Sequence, residues 1–346
     1  MGTSGFLHLA PERLVLYHLY ENQPFCHFLN VTQNGTGPHN TRGRVTSWDA
    51  CVEDVDCEKL AAQLSEMGAR YLFITMQQGT RYFIAPNRTF EDITGIRDGC
   101  ARRDLVLDLY FALKKRDIAL FLYYTGDAMG RDADPAIAER FGYHGGVGGV
   151  ISEDLVRLWS MPLKEYAQRY GGKVAGWWFD GVYKEIGYDD VRLGIMRDAV
   201  KSGSPDALVA NNYYGCLHPG TQIETAFEGN GYLRADFFQT VAPPTPFCDF
   251  TAGELVYFNA FPDPDRCWSA LPHVLSFLGI PERPWEVYNA WGRPGCKYSP
   301  EYLAAYIGAF NRMGGVVSVD MCLRRDGSFD NGQRRVMEAA SRMMQA

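Results

Sequence analysis

Short apolar runs alternate along this chain with longer stretches in which apolar residues recur every three or four positions. LVLYHLY (14–20), YLFITM (71–76), IALFLYYTG (118–126), VAGWWFD (174–180), ALVANN (207–212) and VVSVDM (316–321) read as strands. Between them DCEKLAAQLSEMGA (56–69), RRDLVLDLYFALKKRD (102–117), SEDLVRLWSMPLKEYAQRYG (152–171) and DDVRLGIMRDAVKSG (189–203) carry helical periodicity. SPEYLAAYIGAFNRMGG (299–315) is a helix before the last strand, and GQRRVMEAASRMMQ (332–345) is a helix after it. Asp56 and Ser299 stand where a helix cap belongs, and glycines follow several helix ends. Strand followed by helix, repeated, predicts a parallel sheet with helices packed on it.

The length of 346 residues accommodates about eight such units, so the expected fold is α/β, a single (β/α)8 barrel over 1–346. A doubly wound sheet is the alternative, but no GxGxxG follows an early strand. The stretch 213–298 is rich in Pro, Gly and aromatic residues and shows few helices. It is assigned to strands 6 and 7 with long loops, and long loops at a barrel mouth are where substrate sites are built.

Composition narrows the function. Hydrophobic residues make up 46% and charged residues 22%, an ordinary globular balance. The net charge of −7, without a basic run, removes the electrostatic footprint of a nucleic-acid binder. No apolar run reaches the length of a membrane span. The 9 cysteines include no CxxC pair, and the 7 histidines form no HxH or HExxH, so neither metal nor cofactor is expected. Reduced cysteines and an N-terminus unlike a signal peptide point to the cytoplasm; a trimmed secretion signal would reverse that. A homo-oligomer is compatible with everything in the sequence.

VAGWWFDG then poses the chemical question, because it ends an apolar run on Asp180. A buried carboxylate is costly unless it is paired, hydrogen-bonded or used. Asp-Gly is a common turn, so a purely structural Asp180 is one reading. In a barrel, however, strand ends converge on one face. Gln77 and Gln78, Tyr123 and Tyr124, Asp180, and Asn211 and Asn212 all fall at such ends, with Glu224 and Glu228 following in TQIETAFEGNG (221–231). Two carboxylates from different strands suit glycoside hydrolysis, one attacking the anomeric carbon and one protonating the leaving oxygen. Alternation along the strand puts Trp178 on the side of Asp180 and turns Trp177 toward the helices.

These segments resemble, in order, those of the family 29 α-L-fucosidases. WWFDG is similar to the family's nucleophile motif, with Trp178 two positions before Asp180. YLFITMQQG is similar to its His-His stretch, LFLYYTG to its Tyr-Tyr segment, and LVANNYYG to its Val-Asn-Asp-Arg-Trp-Gly stretch. ETAFEGNG, PWEVYNAWG and MGGVVSVDMCLRRDGSFDNGQ resemble later segments of the family. The resemblance implies a retaining exo-glycosidase acting on a terminal α-L-fucosyl residue of an oligosaccharide or glycoconjugate. It implies Asp180 as nucleophile and Glu228 as acid/base, with Glu224 and then Glu286 as alternatives. His18, with His27 as its rival, would match the family's first-strand His. Trp178, Tyr124, Tyr213, Glu286 and Trp291 would meet the sugar together with Gln77 and Gln78. The paired histidines are replaced by Gln77 and Gln78 and the strand-5 Arg by Tyr213. Those changes keep two rivals open: the same mechanism on another terminal sugar, and a carbohydrate-binding pseudoenzyme. The family's C-terminal β-sandwich is not expected.

Overall fold

Seven parallel strands carry the fold in the computed structural model, which describes residues 23–79, 81–126, 134–143, 150–213, 245–259, 261, 267, 269–283 and 290–345. They are β1 (Gln23–Cys26), β2 (Tyr71–Thr75), β3 (Ala119–Thr125), β4 (Gly176–Asp180), β5 (Leu208–Asn211), β6 (His273–Phe277) and β7 (Val316–Met321). The sheet order is β5-β4-β3-β2-β1-β7-β6. Strands β2, β4, β5, β6 and β7 are buried along their whole length, as strands covered on both faces must be.

The long helices are α3 (Cys57–Glu66), α5 (Leu105–Lys114), α7 (Glu153–Tyr170), α8 (Asp190–Lys201), α9 (Pro300–Arg312) and α10 (Asn331–Gln345). Their starts are written in the sequence. The side chain of Asp56 accepts from Lys59 N at 2.9 Å, Ser152 from Leu155 N at 3.2 Å, Asp189 from Arg192 N at 3.0 Å and Ser299 from Tyr302 N at 3.2 Å. The pieces α1 (Asn30–Gln33), α2 (Trp48–Glu53), α4 (Arg88–Thr94) and α6 (Pro135–Arg140) were not expected, being too short to show a period.

Two further differences concern strands. LVLYHLY, the expected first strand, lies outside the described residues, and β1 is QPFC, four residues led by Gln23-Pro24. Within 213–298 the described strand is β6, HVLSF. The segment 249–255 runs beside it. Asp249 N donates to Val209 O of β5 at 2.7 Å, while Leu271 N donates to Asp249 O and Leu275 N to Gly253 O, both at 2.9 Å. Seven parallel strands in a curled α/β sheet are therefore what the described residues contain, where eight in a closed barrel are expected from the sequence.

Alternation sorts the side chains into two layers. One buried cluster takes Phe25, Phe73, Phe121, Tyr123, Trp178, Ala210, Phe250, Leu275 and Val316, drawing on every strand and on 249–255. A second, larger cluster lies between sheet and helices and takes Tyr124, Trp177 and Phe179. Trp177 thus faces the helices and Trp178 the interior, as period two requires. All eight cysteines among the described residues are free. No helix among those residues is long and apolar enough to cross a membrane.

His273 sits in the interior beside Phe73 and Phe250. Its Nδ1 lies 2.9 Å from Thr251 O, so that nitrogen donates, and Nε2 accepts from the Ser318 hydroxyl at 2.8 Å. Burial lowers its pKa from about 6.5 to about 4, outweighing the opposing pull of the Thr251 and Ala252 carbonyls. An unfolded chain takes up this proton as pH falls below about 6.5, whereas the folded chain refuses it until about 4. The stability that neutral His273 contributes is complete above that window and is lost on descending through it. His273→Gln should be less stable than wild type at pH 7, and the gap should narrow by about 2–3 kcal/mol at pH 4.5. Urea unfolding at the two pH values checks this, and a constant gap would exclude it.

Candidate active site

Asp180 ends β4 and is 8% exposed, so each of its oxygens needs a partner from the protein or from a ligand. Oδ1 accepts from Gly181 N at 2.7 Å, from the Tyr183 hydroxyl at 3.1 Å and from the Asn212 side-chain amide. Oδ2 accepts from the Tyr123 hydroxyl. All four groups are donors, which suits an ionised carboxylate because it can only accept. They come from three neighbouring places: Tyr123 from β3, Gly181 and Tyr183 from the turn after β4, Asn212 from the end of β5. Gly181 has φ +67, the left-handed region where glycine is at ease, and this turns the chain so that its own N–H meets the carboxylate. The turn reading of Asp180-Gly181 is thus physically present.

Asp180 opens on a cavity of about 450 Å³, lined also by Phe25, His27, Gln78, Tyr123, Tyr183, Glu254 and Trp291. His27 follows β1, and its Nδ1 lies 2.7 Å from Oδ1 of Asp320 on β7. Asp320 is fully buried, and its other oxygen accepts from Gly292 N. A histidine held by a buried carboxylate through Nδ1 presents Nε2 to the cavity in a fixed orientation. Trp291 packs against His27 and Phe277, with ring centroids 5.9 and 4.8 Å apart. Behind that aromatic wall the Lys297 ammonium lies 3.4 Å from the Phe277 ring centre and donates to Val256 O at 2.6 Å. Burial pulls the Lys297 pKa down to about 7. Among the described residues no group of three or more His, Cys, Asp or Glu is placed to hold a metal ion.

Of the residues singled out in the sequence, Asp180, Gln78 and Trp291 meet at this cavity. Trp178 lies beneath, in the inner cluster, stacked on Tyr123 at 5.5 Å and 13°. Gln77 is buried outside the cavity wall and accepts from the Thr125 hydroxyl at 3.1 Å. Tyr213 is half-buried against the outer cluster rather than at the cavity. Tyr124 is corrected by register. Because Tyr123 pairs with Trp178 and Thr125 with Asp180, Tyr124 points the other way, its hydroxyl donating to Trp159 O at 3.2 Å. His18, Glu224, Glu228 and Glu286 lie outside the described residues. His27, the rival of His18, is at the cavity.

Tyr183, Glu254 and Asp320 carry no sequence expectation, and Tyr123, expected only as a strand-end residue beside Tyr124, is the one of that pair at the cavity. Asp320 carried the same signal as Asp180, an acid inside an apolar run, VVSVDM.

Comparison with known proteins adds the fold class. No family model matches the chain, and no curated protein matches it. Solved structures do. An endo-fucoidan hydrolase from glycoside hydrolase family 107 superposes with a TM-score of 0.66 at 14% identity, over 96% of this chain and 54% of that one. A second endo-fucoidan hydrolase of that family gives 0.64 at 13%, over 96% and 93%. An α-L-fucosidase of family 29 from Bacteroides thetaiotaomicron gives 0.59 at 13%, over 98% and 74%. The chain therefore shares the fold of these glycoside hydrolases, while spanning about half the length of the first.

The two tyrosines make a paired test. Tyr123→Phe removes a donor from Asp180 and is expected to cut any turnover at the cavity at least ten-fold with little change in the urea midpoint. Tyr124→Phe should do the reverse, costing about 1 kcal/mol of stability and leaving turnover alone. Equal effects of the two on turnover would refute the register argument.

Proposed function

We propose that the chain is a retaining exo-glycosidase of the α-L-fucosidase type. The observation that carries this reading is the state of Asp180: held in position through Oδ1 by three donors, with Oδ2 bonded to Tyr123, on a residue that lines the cavity. A carboxylate that was merely a turn residue would have no need of a cavity. The bonds of 249–255 to both β5 and β6, and the inner cluster shared by all strands, support a sheet that closes as a (β/α)8 barrel with this cavity at its C-terminal mouth.

In the first step an Oδ2 lone pair of Asp180 attacks the anomeric carbon. The glycosidic C–O pair departs with the leaving oxygen, which takes a proton from an acid on the cavity wall. Water then attacks the same carbon, and the ester pair returns to Asp180. Tyr123 can strengthen its bond to Oδ2 as charge returns to it. His27, fixed by Asp320, and Gln78 would hold sugar hydroxyls, and Trp291 would cover the apolar face of the ring. One of the family 29 structures of this fold is described as a trapped covalent intermediate, which is consistent with retention here.

A second reading has its own observation. The family 107 enzymes, named as endo-acting on fucoidan, superpose with TM-scores of 0.64 to 0.66 against 0.59 for the family 29 enzyme. The same machinery would then act within a chain of fucosyl residues.

Hydrolysis of a panel of aryl glycosides and of fucoidan oligosaccharides, by wild type and Asp180→Asn in parallel, separates these. The α-L-fucoside should be turned over with retention, and the variant should fall by roughly a thousand-fold or more while still binding sugar. Cleavage of oligosaccharides alone, at internal bonds, would favour the endo reading. A folded wild type that binds sugar and hydrolyses nothing would identify a binding protein.

A further inference from the structure

The geometry points to Glu254 as the general acid and base opposite Asp180. This rests on the glycosidase reading above and departs from the residues that the order of motifs favours, Glu228 and Glu224.

The first ground is placement. Asp180 and Glu254 are the two carboxylate residues on the described wall of the cavity. The third acid nearby, Asp320, has one oxygen on His27 and the other on Gly292 N and does not line it.

The second ground is reach. β5 is hydrogen-bonded to β4, and Asp249 N is hydrogen-bonded to Val209 on the far side of β5. The segment carrying Glu254 is thus two strand spacings from β4, roughly 9–10 Å between backbones. Side chains reaching inward from there come within the roughly 5–9.5 Å over which two carboxyl groups flank one glycosidic bond.

The third ground is aim. Phe250 and Ala252 lie in the inner cluster. Phe250 pairs with Leu271 and Glu254 with Leu275, four residues on in both strands, so the register holds and position 254 keeps the inward parity. Gly253 lets the backbone pass there: its φ is +63, and a Cβ on it would stand 1.8 Å from His273 O. A side chain at 253 would push this segment off β6 and carry Glu254 out of the wall.

In the forward step the Glu254 carboxyl gives its proton to the glycosidic oxygen as that oxygen takes the C–O pair, while Asp180 forms the ester bond to carbon. In the second step the Glu254 carboxylate takes a proton from water as the water oxygen bonds to carbon and the ester pair returns to Asp180. Proton and electrons balance, and Glu254 ends protonated as it began.

The test compares wild type with Glu254→Gln, Glu228→Gln and Glu224→Gln on two aryl α-L-fucosides, one with an acidic phenol and one with a poor leaving group. If Glu254 is the acid, Glu254→Gln lowers kcat/KM for the poor leaving group at least a hundred-fold but for the acidic phenol far less. It also removes the alkaline limb of the pH profile. Azide restores turnover of Glu254→Ala and yields the fucosyl azide, and Glu254→Asp, which keeps a carboxyl, retains the alkaline limb at a lower rate. If Glu254→Gln keeps the wild-type leaving-group dependence and profile while Glu228→Gln or Glu224→Gln loses both, Glu254 is only part of the wall and the proposal fails. If Asp180→Asn is inactive and none of the three glutamates changes the leaving-group dependence, the proposal fails while the nucleophile stands. A wild type inert toward every fucoside and oligosaccharide overturns the glycosidase reading and this role together.

Discussion

A carboxylate buried at the end of β4 is the constraint on which the site depends. Asp180 is satisfied because β3, β4 and β5 lie side by side in register and each strand or the turn after it delivers a donor to it. Without that convergence its desolvation would be uncompensated. Conversely, taking the carboxylate away would remove an acceptor from the hydroxyls of Tyr123 and Tyr183 and from the amide of Asn212. Fold and site are thus secured by the same bonds: the sheet places the donors, and the carboxylate gives them an acceptor.

The interior below explains why the rim is where chemistry can occur. Phe25, Phe73, Phe121, Phe250 and Trp178 fill it, ring against ring, and the Trp178 indole N–H is buried there without a hydrogen-bond partner among the described residues. His273 and Ser318 satisfy one another and the Tyr71 hydroxyl there. A charge at the boundary of such a core is weakly screened, so its hydrogen bonds count for more than they would in water.

What the sequence made legible was whatever is local. Periodicity located β2, β3, β4, β5 and β7, and the caps at Asp56 and Ser299 marked two helix starts to within a residue. Parity along WWFD assigned Trp177 and Trp178 to opposite layers. What stayed hidden depended on partners distant in sequence. Tyr123 and Tyr124 are indistinguishable until the register of β3 on β4 is known. QPFC has too few residues to compete with LVLYHLY as a first strand. Glu254 follows Gly253 in a stretch whose strand character comes from its bonds to Leu271 and Leu275 rather than from its own composition.

Two buried acids at strand ends, Asp180 on β4 and Asp320 on β7, invite the same question and receive different answers. Asp320 places one oxygen on the His27 ring and the other on a backbone N–H, and it does not line the cavity. Its effect passes through His27, whose orientation it fixes. Asp180 gathers three donors on one oxygen and leaves the other with a single tyrosine, at the cavity. Access to the cavity, more than position in the strand, separates a carboxylate that orients a neighbour from one that a substrate could reach. The paired glutamines divide in the same way: Gln77 is buried and accepts from Thr125, its amide nitrogen without a partner among the described residues, while Gln78 faces the cavity. On that side the cavity wall therefore presents one amide and the His27 ring, and both can donate and accept.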